Sequence, residues 1–85
     1  MQLFFTKENQ MLRFEVYADQ SAKWRWRLIA ANGKIIADSG EGYASEYNAV
    51  RAAARTKELA PQAPVKRKDG TTLREAKLTQ HADPF

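Results

Sequence analysis

The sequence predicts an α+β fold with the order β-β-β-α-β: a three-stranded antiparallel meander, one helix and a short C-terminal strand. Three observations carry this. Residues 12–18 and 24–30 alternate apolar and polar side chains, as half-buried strands do. Asn32-Gly33, between the second apolar stretch and a third, is a strong two-residue hairpin signal. Past Ser45 the apolar spacing changes from two to the helical period.

In the first strand Leu12, Phe14 and Val16 share one face, with Arg13, Glu15 and Tyr17 on the other. Asp19-Gln20-Ser21 supplies turn chemistry. Trp24, Trp26, Leu28 and Ala30 then share a face, with Arg25, Arg27 and Ile29 opposite. A type I′ turn at Asn32-Gly33 sets Ala30 opposite Ile35, Leu28 opposite Ala37 and Arg27 opposite Asp38, with residues 34–39 as the returning strand. In the preceding hairpin only an odd loop length keeps Phe14 and Val16 on the tryptophan face. A three-residue loop at residues 19–21 sets Phe14 opposite Trp26 and Glu15 opposite Arg25. Each central arginine then has a carboxylate across the strands; such exposed pairs contribute ~0.2–1 kcal/mol each.

Gly40 and Gly42 end the sheet, and Ser45 is a good N-cap for the helix. Glu46 in the first turn and Arg55 and Lys57 near the end suit the helix dipole. Leu59-Ala60-Pro61 terminates it. Ala49, Ala52, Ala53, Thr56 and Ala60 form a small-residue face that would let the helix lie close above the tryptophans; Tyr47, Val50 and Ala54 form a rival face. Residues 61–64 read as a connector and residues 65–68 as a brief basic strand. Thr72-Leu73-Arg74-Glu75 fits a capping box that would start a short helix over residues 73–80. Residues 3–5 are a candidate extra hairpin strand.

The run FEVYAD, then WRWRLIAANGKIIADSGEGYAS, then a helix ending in LAP, resembles the YegP-like family of small bacterial and archaeal domains of unknown function. The resemblance spans residues 14–61, with Trp24, Trp26, Asn32, Gly33, Gly40 and Gly42 as its structural signature. The chain reads as one domain over residues 1–70, with the resemblance as its core, and a tail over 71–85. The resemblance implies a β-β-β-α-β unit whose sheet is completed by a second subunit through exchange of the last strands, and hence a strand-swapped homodimer. It implies no catalytic residues and no cofactor. The helix departs from the family pattern, with Ala53 and Thr56 where larger aliphatics are usual.

The chain has 85 residues and no cysteine. A domain of this size buries only ~60–65% of its unfolded surface, so its core is marginal alone. Disulfides are impossible, and a single histidine, His81, argues against a structural zinc. Association with a second chain is the remaining source of stability. No apolar run approaches the ~20 residues of a membrane span, and the opening QLFF meets Lys7 and Glu8 at once, unlike a signal peptide. These readings predict a soluble, cytoplasmic protein.

The net charge is +4. Residues 1–50 hold six basic and six acidic side chains, and residues 51–85 hold eight and four, so the excess lies in the second half. Lys66, Arg67 and Lys68 are its densest run and the candidate contact for nucleic acid or another partner. Lysines on an edge strand also discourage aggregation, which accounts for the run without a ligand. Gly40-Glu41-Gly42-Tyr43-Ala44-Ser45 mimics a dinucleotide fingerprint, but it follows an antiparallel meander and Glu41 would repel phosphate, so a structural turn is the better reading. The tryptophans and arginines of residues 24–27 fall on opposite faces of one strand, which suits a core and not a base-stacking groove. No nucleophile, base and orienting group can be assembled, and the identifiable carboxylates face arginines, so the residues do not point to an enzyme or to a metal. The sequence therefore predicts a non-enzymatic, homodimeric interaction module with an unknown protein partner. The alternative is a weak nucleic-acid binder, or an inhibitor docking on a nucleic-acid-handling complex through the basic half.

Overall fold

The computed structural model describes residues 11–73. Strands β1 (Arg13–Ala18), β2 (Trp24–Ile29) and β3 (Ile35–Asp38) form an antiparallel sheet in the order β1-β2-β3. Helix α1 (Glu46–Leu59) crosses β2 and β1 on one face and ends in a single 3-10 turn, Ala60–Gln62, that contains Pro61. The α+β class and the three-stranded meander with one helix follow the sequence reading. Residues 3–5 and the proposed helix past Leu73 lie outside the described residues.

Both strand connections are three-residue loops of one kind. In the first, the Ala22 N–H donates to the Asp19 carbonyl at 3.1 Å and the Asp19 N–H to the Lys23 carbonyl at 2.8 Å. In the second, the Gly33 N–H donates to Ala30 at 2.8 Å and the Ala30 N–H to Lys34 at 2.8 Å. The last loop residue is left-handed in each, Ala22 at φ 64° and Gly33 at φ 92°. This arrangement matches the right-handed twist of the strands with only one positive φ.

Two registers are thereby corrected. The first loop is three residues long, as expected, but it is 20–22 and not 19–21. Asp19 is a strand-end residue whose Oδ1 accepts from the N–H groups of Ser21 at 2.8 Å and Lys23 at 3.0 Å. The register therefore moves by two: Phe14 faces Leu28, Val16 faces Trp26, Glu15 faces Arg27 and Tyr17 faces Arg25. A two-residue shift keeps every side chain on its predicted face. In the second hairpin Asn32 does not take the positive φ that a type I′ turn requires. The longer loop pairs Ala30 with Lys34 and Ile29 with Ile35. A register shift between Leu28 and Ile29 then absorbs one extra residue of β3, restoring the expected pairs Leu28–Ala37 and Arg27–Asp38. Ile35 is consequently 54% exposed and does not join the Leu28 face.

The core lies between β2 and α1. Trp26, Ala30, Ala49 and Ala53 are buried there, with Ala49 fully enclosed; Ile29 is also buried, but its register opposite Arg13 and Ile35 puts it on the arginine side of β2. The Phe14 ring meets Trp26 edge-on, with centroids 5.4 Å apart, although the two residues are diagonal across the strands. The small-residue face is the one that packs: Ala49 and Ala53 are buried and Ala52 and Thr56 half-buried. Tyr47, Val50 and Ala54 are exposed, as is Ala60 beyond the helix end. Ser45 Oγ accepts from the Asn48 N–H at 3.1 Å, as an N-cap should.

Past the 3-10 turn the chain does not form a single strand. Residues 65–73 are a third hairpin with the same loop geometry. The Gly70 N–H donates to Arg67 at 2.9 Å, the Arg67 N–H to Thr71 at 2.8 Å and the Leu73 N–H to Val65 at 2.8 Å. Gly70 takes φ 99°, and Asp69 Oδ1 accepts from the Thr71 N–H at 2.9 Å. Lys66 pairs with Thr72. Thr72 is thus a strand partner and not a helix cap, which corrects the capping-box reading at its first residue.

Two stability outcomes follow. Trp26→Ala should cost about 3–5 kcal/mol in urea denaturation, as for other buried aromatics. Ala22→Gly should gain about 0.5–1 kcal/mol, because it removes the ~1–2 kcal/mol left-handed penalty of a Cβ while adding the entropy cost of glycine.

Candidate functional site

Three regions hold the chemistry-bearing residues: the glycine loop with the adjoining helix face, the outer face of the sheet, and the basic hairpin. Trp24 and Tyr43 exchange both backbone hydrogen bonds, N–H to carbonyl at 2.8 and 2.7 Å, so the chain leaves β3 at Ser39 and returns to β2 four residues later. Residues 39–42 span this detour. The Gly40 N–H donates to Asp38 Oδ1 at 3.2 Å, and Ser39 Oγ donates to the Glu41 carbonyl at 2.8 Å. A Cβ on Gly42 would stand 2.8 Å from Lys23 Cβ, closer than real contacts allow. The Gly-Glu-Gly-Tyr run is thus accounted for by backbone pairing and close packing.

Tyr43 is half-buried and faces the start of α1. Between it and the helix is an open concavity of about 750 Å³, lined by Tyr43, Asn48, Arg51, Ala52, Arg55 and Glu58 among others. Arg55 Nη1 is 2.8 Å from Glu58 Oε1, one turn on. The Arg51 guanidinium lies 5.8 Å from the Tyr47 ring centroid and makes no ion pair among the described residues. Like charges one turn apart on a helix repel mildly, and Glu58 offsets only one of the two.

The outer sheet face carries arginines in fixed positions. Arg25 Nε donates to Asp19 Oδ2 at 2.6 Å, so Asp19 is its partner and not Glu15. Arg27 lies 3.8 Å from Glu15 and 4.3 Å above the Tyr17 ring, a cation–π distance. Arg13 donates to Glu15 at 3.0 Å. The hydrogen bond from Arg25, followed by that from the Lys23 N–H, holds the Asp19 carboxyl below its usual range. Two donors near this sheet are buried without an acceptor among the described residues, Trp26 Nε1 and Arg27 Nε. An unsatisfied buried donor of this kind costs about 1–3 kcal/mol.

Trp24 and Trp26 sit as the sequence reading placed them, on the helix side, with Trp24 half-buried. Asn32 Oδ1 accepts from the Lys34 N–H at 3.0 Å and so steadies its own turn. Lys66, Arg67 and Lys68 are brought together in the first arm and tip of the 65–73 hairpin, all exposed. Arg51 and Arg55 were not singled out by the sequence reading as ligand-facing. The signal for them was their spacing of four on a helix whose buried face was already assigned. No cluster of three or more His, Cys, Asp or Glu side chains occurs among the described residues, and His81 lies outside them. No helix among them is long and apolar enough to cross a membrane.

This architecture, a one-sided antiparallel meander with a single capped helix, defines a small α+β domain. Residues 19–66 match the family described as a domain of unknown function, DUF1508, and the chain belongs to that family. It is 49% identical over 53 residues to a UPF0339 protein of Methanosarcina acetivorans, covering 62% of this chain and 90% of that protein. A UPF0339 protein of Neisseria meningitidis serogroup B is 47% identical over 53 residues, with 93% of its length covered. The solution NMR structure of a protein from Haloferax volcanii is 49% identical, with a TM-score of 0.62 over 65% of this chain and 92% of that one. These names assign no activity. The family match ends at residue 66, so most of the 65–73 hairpin lies past it.

The Asp19–Arg25 pair gives a pH-dependent outcome. A carboxyl whose folded pKa is depressed contributes stability that is present above its unfolded value and lost as pH falls through the folded one. Asp19→Asn should therefore be less stable than the parent at neutral pH. The two urea curves should converge in acid, below the ordinary aspartate range.

Proposed function

We propose that this chain is a non-enzymatic interaction module that works in the cytoplasm as a homodimer, with the segment after Pro61 reaching the second copy. One observation carries the reading. Among the described residues the sheet has three strands, and the 65–73 hairpin, exposed along nearly its whole length, takes no part in its strand pairing. An open edge is a template for pairing with another chain, and a preformed hairpin arm is a suitable partner for it. The thin core supports the same conclusion, since among the described residues only two buried ones, Trp26 and Ile29, have large side chains. Pro64 follows an extended Ala63, at φ −91° and ψ 123°, which favours an arm leaving the 3-10 turn over a tight return. Multi-angle light scattering tests the proposal. The full chain should be a dimer at micromolar concentration, and truncation after Pro61 should weaken dimer and fold together. A stable full-length monomer would refute it, and a dimer that survives truncation would place the interface elsewhere.

A second reading rests on the hairpin itself. It gathers Lys66, Arg67 and Lys68 at one exposed turn, where they can reach phosphates, and a dimer would present two such turns. Binding of this kind is sequence-tolerant and steeply salt-dependent. Labelled single- and double-stranded oligonucleotides should bind at low salt and be released at physiological salt. No binding at low salt would end this reading.

A further inference from the structure

We infer that the concavity between Tyr43 and α1 is a recognition site for an acidic protein segment, one carboxylate side chain beside an apolar neighbour. The inference rests on the interaction-module reading and names the chemistry of its partner.

Four features point to a carboxylate. Arg51 lines the concavity, and its guanidinium, 5.8 Å from the Tyr47 ring centroid at the rim, has no ion-pair partner among the described residues. Arg55 lies one turn along the same face and engages Glu58 through Nη1, leaving its other N–H groups able to donate. Asn48 adds an amide one turn before Arg51. These donors flank a half-buried tyrosine and Ala52, so a charged group and an apolar one can be accommodated side by side. The planar guanidinium fork matches a carboxylate in two parallel hydrogen bonds, which gives direction as well as charge.

The same residues disfavour a polynucleotide. A phosphate backbone needs a continuous cationic track. Here Glu46 and Glu58 interrupt the helix, one near each end, and among the described residues only two cations line the concavity. An isolated carboxylate needs no track. The outer sheet face offers no rival site, because its arginines already engage Glu15, Asp19 and Tyr17.

The site is also held in place. Tyr43 is pinned to Trp24 by two backbone hydrogen bonds, and Gly42 is packed against Lys23. The helix start is fixed by Ser45. The backbone around the concavity is thus fixed before a ligand arrives, which lowers the entropic cost of binding.

The test uses the full chain, labelled with nitrogen-15, titrated with a short peptide of alternating glutamate and leucine at near-physiological salt. Shifts should concentrate on the Asn48 side-chain amide, on the Arg51 and Arg55 Nε–H groups and on the Tyr43 amide. Arg51→Gln should weaken binding about tenfold, the loss of one charge-assisted pair, and Arg51→Lys should weaken it less. Position 51 is exposed on the helix, so a well-dispersed spectrum will confirm that each variant is folded. The inference fails if the glutamine-for-glutamate peptide binds equally well. It also fails if shifts gather at residues 65–73 instead, or if a single-stranded oligonucleotide displaces the peptide from the concavity. Light scattering on the same samples separates this from the dimer proposal: Arg51→Gln should leave the oligomeric state unchanged. A monomer that still binds the peptide at Arg51 would refute the dimer and keep the site.

Discussion

The two loops that join the strands set the faces of everything between them, because a strand repeats every two residues. β2 is shared by both hairpins, so a one-residue slip in either loop would turn a neighbouring strand inside out. Each loop meets this constraint with three residues and a left-handed last position, Ala22 in one and Gly33 in the other. A nearby side chain reinforces each: Asp19 accepts two backbone N–H groups across its loop, and Asn32 accepts one. The third hairpin repeats the device with Asp69 and Gly70. Ala22 is the strained member, a residue with a Cβ where the others have glycine.

Once the parity is fixed, the rest of the packing follows. Phe14, Val16, Trp26 and Leu28 share the helix side, and bulky rings there require small residues above them. Ala49 and Ala53 meet that requirement, which is why the alanine face of α1 is buried and the Tyr47–Val50 face is not. The opposite side of the sheet is left to arginines, whose long stems cover it while their heads find Asp19, Glu15 or the Tyr17 ring. The pairing is local and screened, so its role is to keep the face ordered more than to hold the fold.

Much of this was legible in the residues. The alternation of residues 13–18 and 24–28, the Ser45 cap, the alanine face and the parity argument all led to the observed arrangement; Leu12, expected beside Phe14, instead precedes β1 and is exposed, and Ile29, expected among the arginines, is buried. Registers were harder. Two-residue shifts cost nothing in facial pattern, so the apolar periodicity could not choose between loops 19–21 and 20–22. The choice is made by an aspartate side chain bonding to backbone, which hydrophobicity does not report. Asn32-Gly33 was recognised as a hairpin, yet the pair serves equally in a three-residue loop with only the glycine left-handed. The extra residue in β3 has no marker, since Ile35, Ile36 and Ala37 read as an unbroken apolar run. The 65–73 hairpin had a signal in Asp69-Gly70, but its flanks are basic and lack strand alternation. The concavity at Arg51 was hidden for another reason: it is made by a loop and a helix brought together, and no single segment encodes it.

The distribution of charge separates the cations that pair on the sheet from those elsewhere in the fold. On the sheet three arginines, Arg13, Arg25 and Arg27, stand beside Glu15, Asp19 and Asp38, and the face is neutral. The excess resides on the helix and the C-terminal hairpin, which the sheet does not need in order to close. The two cationic groups also differ in kind. The hairpin carries two lysines and one arginine on an exposed turn, a mobile and strongly hydrated set suited to diffuse attraction. The helix presents two arginines over a shaped surface with a fixed tyrosine, which suits directed hydrogen bonding. A single domain thus carries an exposed basic hairpin and a pair of helix arginines beside a half-buried tyrosine, on different elements. The sheet between them, neutral outside and packed inside, is the rigid support that keeps the helix in place.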